Sequence, residues 1–82
     1  MSWNYRVIKS YPATAENEWY SIHEVYYDDE GKITAWTEDA IAPESDTLEG
    51  LRDILGLMRS CLFKPVLHEV VSGGIATLLE VE

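Results

Sequence analysis

Apolar and polar positions alternate through the first half of the chain and step by three and four through the second. The stretch from Trp19 to Glu38, WYSIHEVYYDDEGKITAWTE, sets two runs of aromatic and β-branched residues around the polar cluster Asp28–Lys32, with Gly31 where a tight turn needs one. That is a β-hairpin pattern. Ahead of it, Trp3 to Ser10 forms a first strand, with Trp3, Tyr5 and Val7 on one side and Asn4, Arg6 and Ile8 on the other. The second strand, about Glu18 to Tyr27, is apolar on both alternating sets. Trp19, Val25 and Tyr27 share a face with Ser21 and His23, while Tyr20, Ile22 and Tyr26 share the other with Glu24. A one-sided antiparallel strand would read apolar-in and polar-out, so this one is expected at the centre of a sheet with both faces covered. The third strand runs from Ile33 to Glu38, with Ile33, Ala35 and Thr37 opposed to Thr34, Trp36 and Glu38.

Tyr11 to Asn17, with Pro12 and small polar residues, reads as a loop. After the connection Asp39–Ser45 comes a helix start, where Asp46 with Glu49 three residues later resembles a capping box and Thr47 is the competing N-cap. Leu48, Leu51, Leu55, Met58 and Leu62 recur at helical steps, and Ile54, Leu57 and Cys61 widen the stripe. A helix from about Thr47 to Phe63 follows, about 25 Å long at the usual rise. Gly50 and Gly56 weaken it, either as tolerated glycines or where the helix lies close to the sheet. Pro65 stops it. Pro65 to Val71 returns to strand character, and Ser72-Gly73-Gly74 breaks it. Ile75 to Val81 forms a fifth strand paired through the glycine turn, or else residues 72–82 are a segment ordered by a partner. The expected fold is therefore one α+β domain over residues 1–82: an antiparallel three-stranded meander, one helix packed on the sheet and a returning strand, βββαβ, with room for a further C-terminal strand.

Length and charge narrow the function. A chain of 82 residues buries only about 60–65% of the surface its unfolded form exposes. A thin core favours use of every apolar face, against a second chain where needed, so a homo-oligomer, most simply a dimer, is expected. The formal charge of −9 repels a phosphate backbone, which points away from direct nucleic-acid binding. It favours encounter with a basic protein, or simply keeps the chain soluble. Cys61 is the single cysteine and reads as a small buried hydrophobe, which fits a reducing cytoplasm. No apolar run approaches the length of a membrane span, and the first residues carry no leader pattern, so a soluble cytoplasmic protein is expected.

Two stretches could carry chemistry. Ile22-His23-Glu24-Val25 and Leu67-His68-Glu69-Val70 share a pattern that would suit a divalent metal if their strands were neighbours. Adjacent His and Glu on a strand point to opposite faces, so at best His23 and His68 meet on one face; the alternative is coincidence in β-rich sequence. Glu24, Glu38 and Glu69 are strand acids that could line a sheet face, and the remaining acids near the turns read as solvated. No nucleophile has a base at usable spacing, no glycine loop would cradle phosphate, and no metal-ligand motif is present. No cofactor and no catalytic residue are expected. The aromatic residues Trp3, Tyr5, Tyr11, Trp19, Tyr20, Tyr26, Tyr27 and Trp36 all precede the helix. One helix covers one face of a small sheet, so the second face must be covered by the C-terminal segment, a second copy or another protein. Trp19, Tyr20, Tyr26, Tyr27 and Trp36 are the expected interaction face, unless they form only a rim of wet hydroxyls.

The segments W-N-Y-R-V, W-Y-x-I-H-E-V-Y-Y-D-D-x-G-K-I-x-x-W-T-E, T-L-E-x-L-R-x-x-L-x-x-M and K-P-V-L resemble a family of small acidic bacterial proteins of unknown function, over residues 3 to 67. The element order is also similar to the N-terminal domain of HicB-like antitoxins, with Asp46-Thr47-Leu48-Glu49-Gly50-Leu51 at the start of the helix. The chain departs from that pattern after strand three, where it has Asp39-Ala40-Ile41-Ala42-Pro43, and no C-terminal DNA-binding extension is expected from these residues. The resemblance implies capping of a small basic partner such as an RNA-cleaving toxin.

The resulting expectation is a non-enzymatic interaction module. Two alternatives stay open: a small metal-dependent or acid-base enzyme using His23, Glu24 and His68, and an acidic decoy that presents carboxylates in place of phosphates.

Overall fold

The computed structural model describes residues 1–11 and 17–81. The expected loop over Tyr11–Asn17 therefore falls mostly outside the described residues. Strands β1 (Ser2–Ser10), β2 (Trp19–Tyr27) and β3 (Ile33–Trp36) are followed by helix α1 (Leu48–Cys61) and by strands β4 (Val66–Ser72) and β5 (Ile75–Val81). They form one sheet in the order β3-β2-β1-β4-β5.

This corrects the expected fold class. The sheet is mixed rather than an antiparallel meander with a helix and a returning strand: β4 lies parallel to β1, with Ile8 opposite Leu67 and Lys9 opposite His68. The five strands curl towards a barrel that stops short of closing. The reason is directional. β3 runs the same way as β1, α1 carries the chain back along the sheet, and the next strand must then run with β1, as any strand-helix-strand crossover requires. Apolar periodicity carries no information on strand direction.

Local chemistry sets the element ends. In the first hairpin the Asp28 carboxylate accepts from the Glu30 and Lys32 amides at 2.9 Å, and Gly31 takes φ +81°. Between β4 and β5 both Gly73 and Gly74 have positive φ, as a two-residue hairpin turn with matching twist demands. β3 is shorter than expected: it pairs with Val25–Tyr27, and beyond it the Thr37 and Ile41 amides still donate to β2, at the Glu24 and Ile22 carbonyls. A register shift beside Tyr26 and Tyr27 leaves Thr34 out of step. Ile33 and Trp36, expected on opposite sides, therefore pack on the same cluster.

Thr47 rather than Asp46 caps α1, its hydroxyl accepting from the Gly50 amide at 3.0 Å. A Cβ on Gly50 would run into the Ser45 side chain, so this glycine serves the cap and not a close approach to the sheet; Gly56 faces open space.

Two apolar clusters lie on the two faces. Tyr5, Val7, Met58 and Cys61 are buried between sheet and helix, with Ile22, Ile41, Ile54 and Val66 against them. Ile8, Val25 and Leu67 are buried on the other face, with Tyr27, Ile33, Trp36 and Leu78 against them. The second face is thus covered by the curl of the sheet itself, including side chains of both edge strands.

Candidate interaction surface

Alternation along β1 puts Asn4 and Arg6 on the inner face with Ile8. Arg6 is 7% exposed. Its Nη1 donates to the Tyr27 hydroxyl at 3.0 Å and its Nη2 to the Pro65 carbonyl at 2.7 Å, and Nη2 lies 3.6 Å from the Glu80 carboxylate. The Tyr27 hydroxyl in turn donates to Asn4 Oδ1 at 2.7 Å. One guanidinium fork therefore ties β1 to β2, to the start of β4 and to β5. Its Nε is buried without a partner. A basic residue inside the apolar alternation of the first strand was the sequence signal for this group, and pattern reading places it on a face without finding its partners.

His23 is buried opposite Arg6 on the same face. Its Nδ1 lies 2.8 Å from the Thr37 carbonyl, which can only accept, so Nδ1 carries the proton; Nε2 lies 2.8 Å from the Ser21 hydroxyl. His23 is thus consumed in pinning β2 to the chain after β3. His68 pairs with Lys9 and so lies on the helix side of the sheet, as does Glu24. His23 and His68, which at best would share one face, lie on opposite sides of the sheet. Among the described residues no three metal-binding side chains come together. Glu24 instead accepts from the Tyr26 hydroxyl at 2.6 Å, and this carboxylate holds the Tyr26 phenol above its ordinary range.

The five aromatic candidates do not form one face. Trp19, Tyr27 and Trp36 belong to the inner side, Tyr20 and Tyr26 to the helix side. Trp19 and Tyr20 are exposed, whereas Tyr26, Tyr27 and Trp36 are half-buried. Tyr20 lines an open groove of about 530 Å³ with Ile41, Pro43, Leu55, Met58 and Leu62. A second cleft, about 360 Å³, lies between Trp3 and Tyr5 on β1 and Leu57 and Cys61 on the helix, with Lys64 at its side. Burial pushes the Cys61 thiol above its ordinary range.

The β4–β5 hairpin, absent from the expected interaction face, also presents exposed apolar side chains. β1 flanks it only at Leu67 and His68, while β4 and β5 pair from Val66 with Val81 out to Ser72 with Ile75. The outer part of the hairpin extends past the pairs with β1. There Val71 is 66% exposed, Ile75 69% and, further in, Leu79 53%.

No helix among the described residues is long and apolar enough to cross a membrane. Comparison with protein-family models, curated proteins and solved structures gives no match.

Proposed function

We propose that this chain is a non-enzymatic, cytoplasmic interaction module that self-associates and binds a basic protein partner. The supporting observation is surface. Among the described residues every element except the short β3 exposes large apolar side chains, among them Trp19, Tyr20, Leu55, Val71 and Ile75. Exposed apolar area of this kind marks contact surfaces, and a charge of −9 steers a basic partner towards them. The most concrete form is an inhibitor that caps a small basic protein, as the HicB-like resemblance implies.

Affinity capture from native lysate at low and at high salt tests the reading, with retained polypeptides identified by mass spectrometry. A stoichiometric basic polypeptide released by salt supports it. Retention of no basic polypeptide at either salt contradicts it.

A further inference from the structure

We infer that the outer edge of β5 is a dimerisation edge, on which the β5 strand of a second copy of this chain pairs antiparallel across a two-fold axis. This rests on the interaction-module reading and names one of its surfaces. The sheet has two edges, and they differ. β3 is four residues long, carries a register shift, and is flanked by Asp28, Asp29, Glu30, Glu38 and Asp39. Shortness, irregularity and charge are the usual devices that stop edge-to-edge pairing. β5 has none of them: it is seven residues long, in regular register with β4, free of proline and lysine, and charged only at Glu80. Among the described residues nothing pairs with its other side.

Charge limits where a second copy can meet this chain. Two chains of −9 repel, so they can meet only where acids are few or compensated. Glu80 already faces the Arg6 guanidinium. Antiparallel pairing of a strand with its own copy also preserves alternation: Ile75, Thr77 and Leu79 continue the same set of the partner strand. In the register centred on Leu78, Glu80 lies opposite Ala76, so the strand's charge never meets itself.

Sedimentation equilibrium of the full chain tests the inference, with the double substitution Thr77→Lys and Leu79→Lys and, separately, Leu55→Lys in the helix groove. Both β5 positions are exposed, so far-UV circular dichroism should be unchanged. The wild type and Leu55→Lys should sediment at twice the 9.3 kDa chain mass. The β5 variant should be a folded monomer, with dimer dissociation raised about a hundredfold or more. A wild type that stays monomeric overturns the inference, as does a dimer lost in Leu55→Lys but kept in the β5 variant. Capture of a basic polypeptide by a chain that still dimerises after the β5 substitutions would leave the interaction-module reading standing while this inference fell.

Discussion

The Arg6 guanidinium reaches across the sheet to Glu80, with Nη2 3.6 Å from Oε2, while the same nitrogen donates to the Pro65 carbonyl at 2.7 Å. A buried cation on the first strand thus holds the last strand in place and compensates the one charge on its edge. The two contacts differ in weight. Glu80 is 64% exposed, so its pairing is screened by water, whereas the bonds to Pro65 and Tyr27 are made by a guanidinium that is nearly out of solvent.

Arg6→Ala should therefore lower stability by about 2–4 kcal/mol, seen as a lower urea midpoint with an unchanged slope. Arg6→Met should recover part of that loss, because it fills the space and removes the unpartnered Nε. Glu80→Gln should cost less than about 1 kcal/mol. Equal losses for Arg6→Ala and Glu80→Gln would contradict this ranking.

The two helix glycines should separate. Gly56→Ala meets open space and should gain about 0.5–1 kcal/mol from helix propensity. Gly50→Ala would press on Ser45 and on the capping Thr47 hydroxyl, so its gain should be smaller or absent. Thermal denaturation of the two variants side by side reads the difference.

Stability should depend on pH through Lys9 and Glu18. Their hydrogen-bonded ion pair holds the Glu18 carboxyl below its ordinary range and the Lys9 ammonium above its own. A lowered carboxyl contributes stability above its unfolded pKa and loses it as pH falls through the folded value. A raised ammonium contributes below its unfolded pKa and loses it as pH rises through the folded value. The pair should thus act fully from mildly acidic to mildly alkaline pH. The melting-temperature deficit of Glu18→Gln should be present at pH 7, disappear in strong acid and shrink in added salt.

Cys61 should be slow towards thiol reagents in the folded protein and react fully in denaturant, since its side chain is 1% exposed and burial disfavours the thiolate. A rapid native reaction would mean that the helix-side cluster opens easily.

Much of the element order was legible because each element has its own period. Hairpin one was marked by Asp28–Lys32, the helix by Leu48 to Leu62, and the last strand by the Gly73-Gly74 turn. Strand direction was not legible, since Val66 and Leu67 would read the same beside β1 in either sense, and it was direction that made the sheet mixed. The sides of Ile33 and Trp36 were misassigned because one extra residue in a strand inverts everything beyond it. Arg6, His23 and the exposed hairpin depend on contacts between residues distant in sequence. His23 and Glu24 looked like site chemistry because their partners Thr37, Ser21 and Tyr26 are ordinary strand residues with no motif of their own.

Backbone hydrogen exchange of β5, followed over a range of protein concentration, tests the central claim most directly. Half of the β5 amides bond to β4, and the other half point outward in any antiparallel edge strand. The outward amides between Ile75 and Val81 should be protected at high concentration and lose protection on dilution in step with the fall in mass, while amides of α1 and β1 stay constant. Outward amides that exchange as free backbone at every concentration would contradict the account.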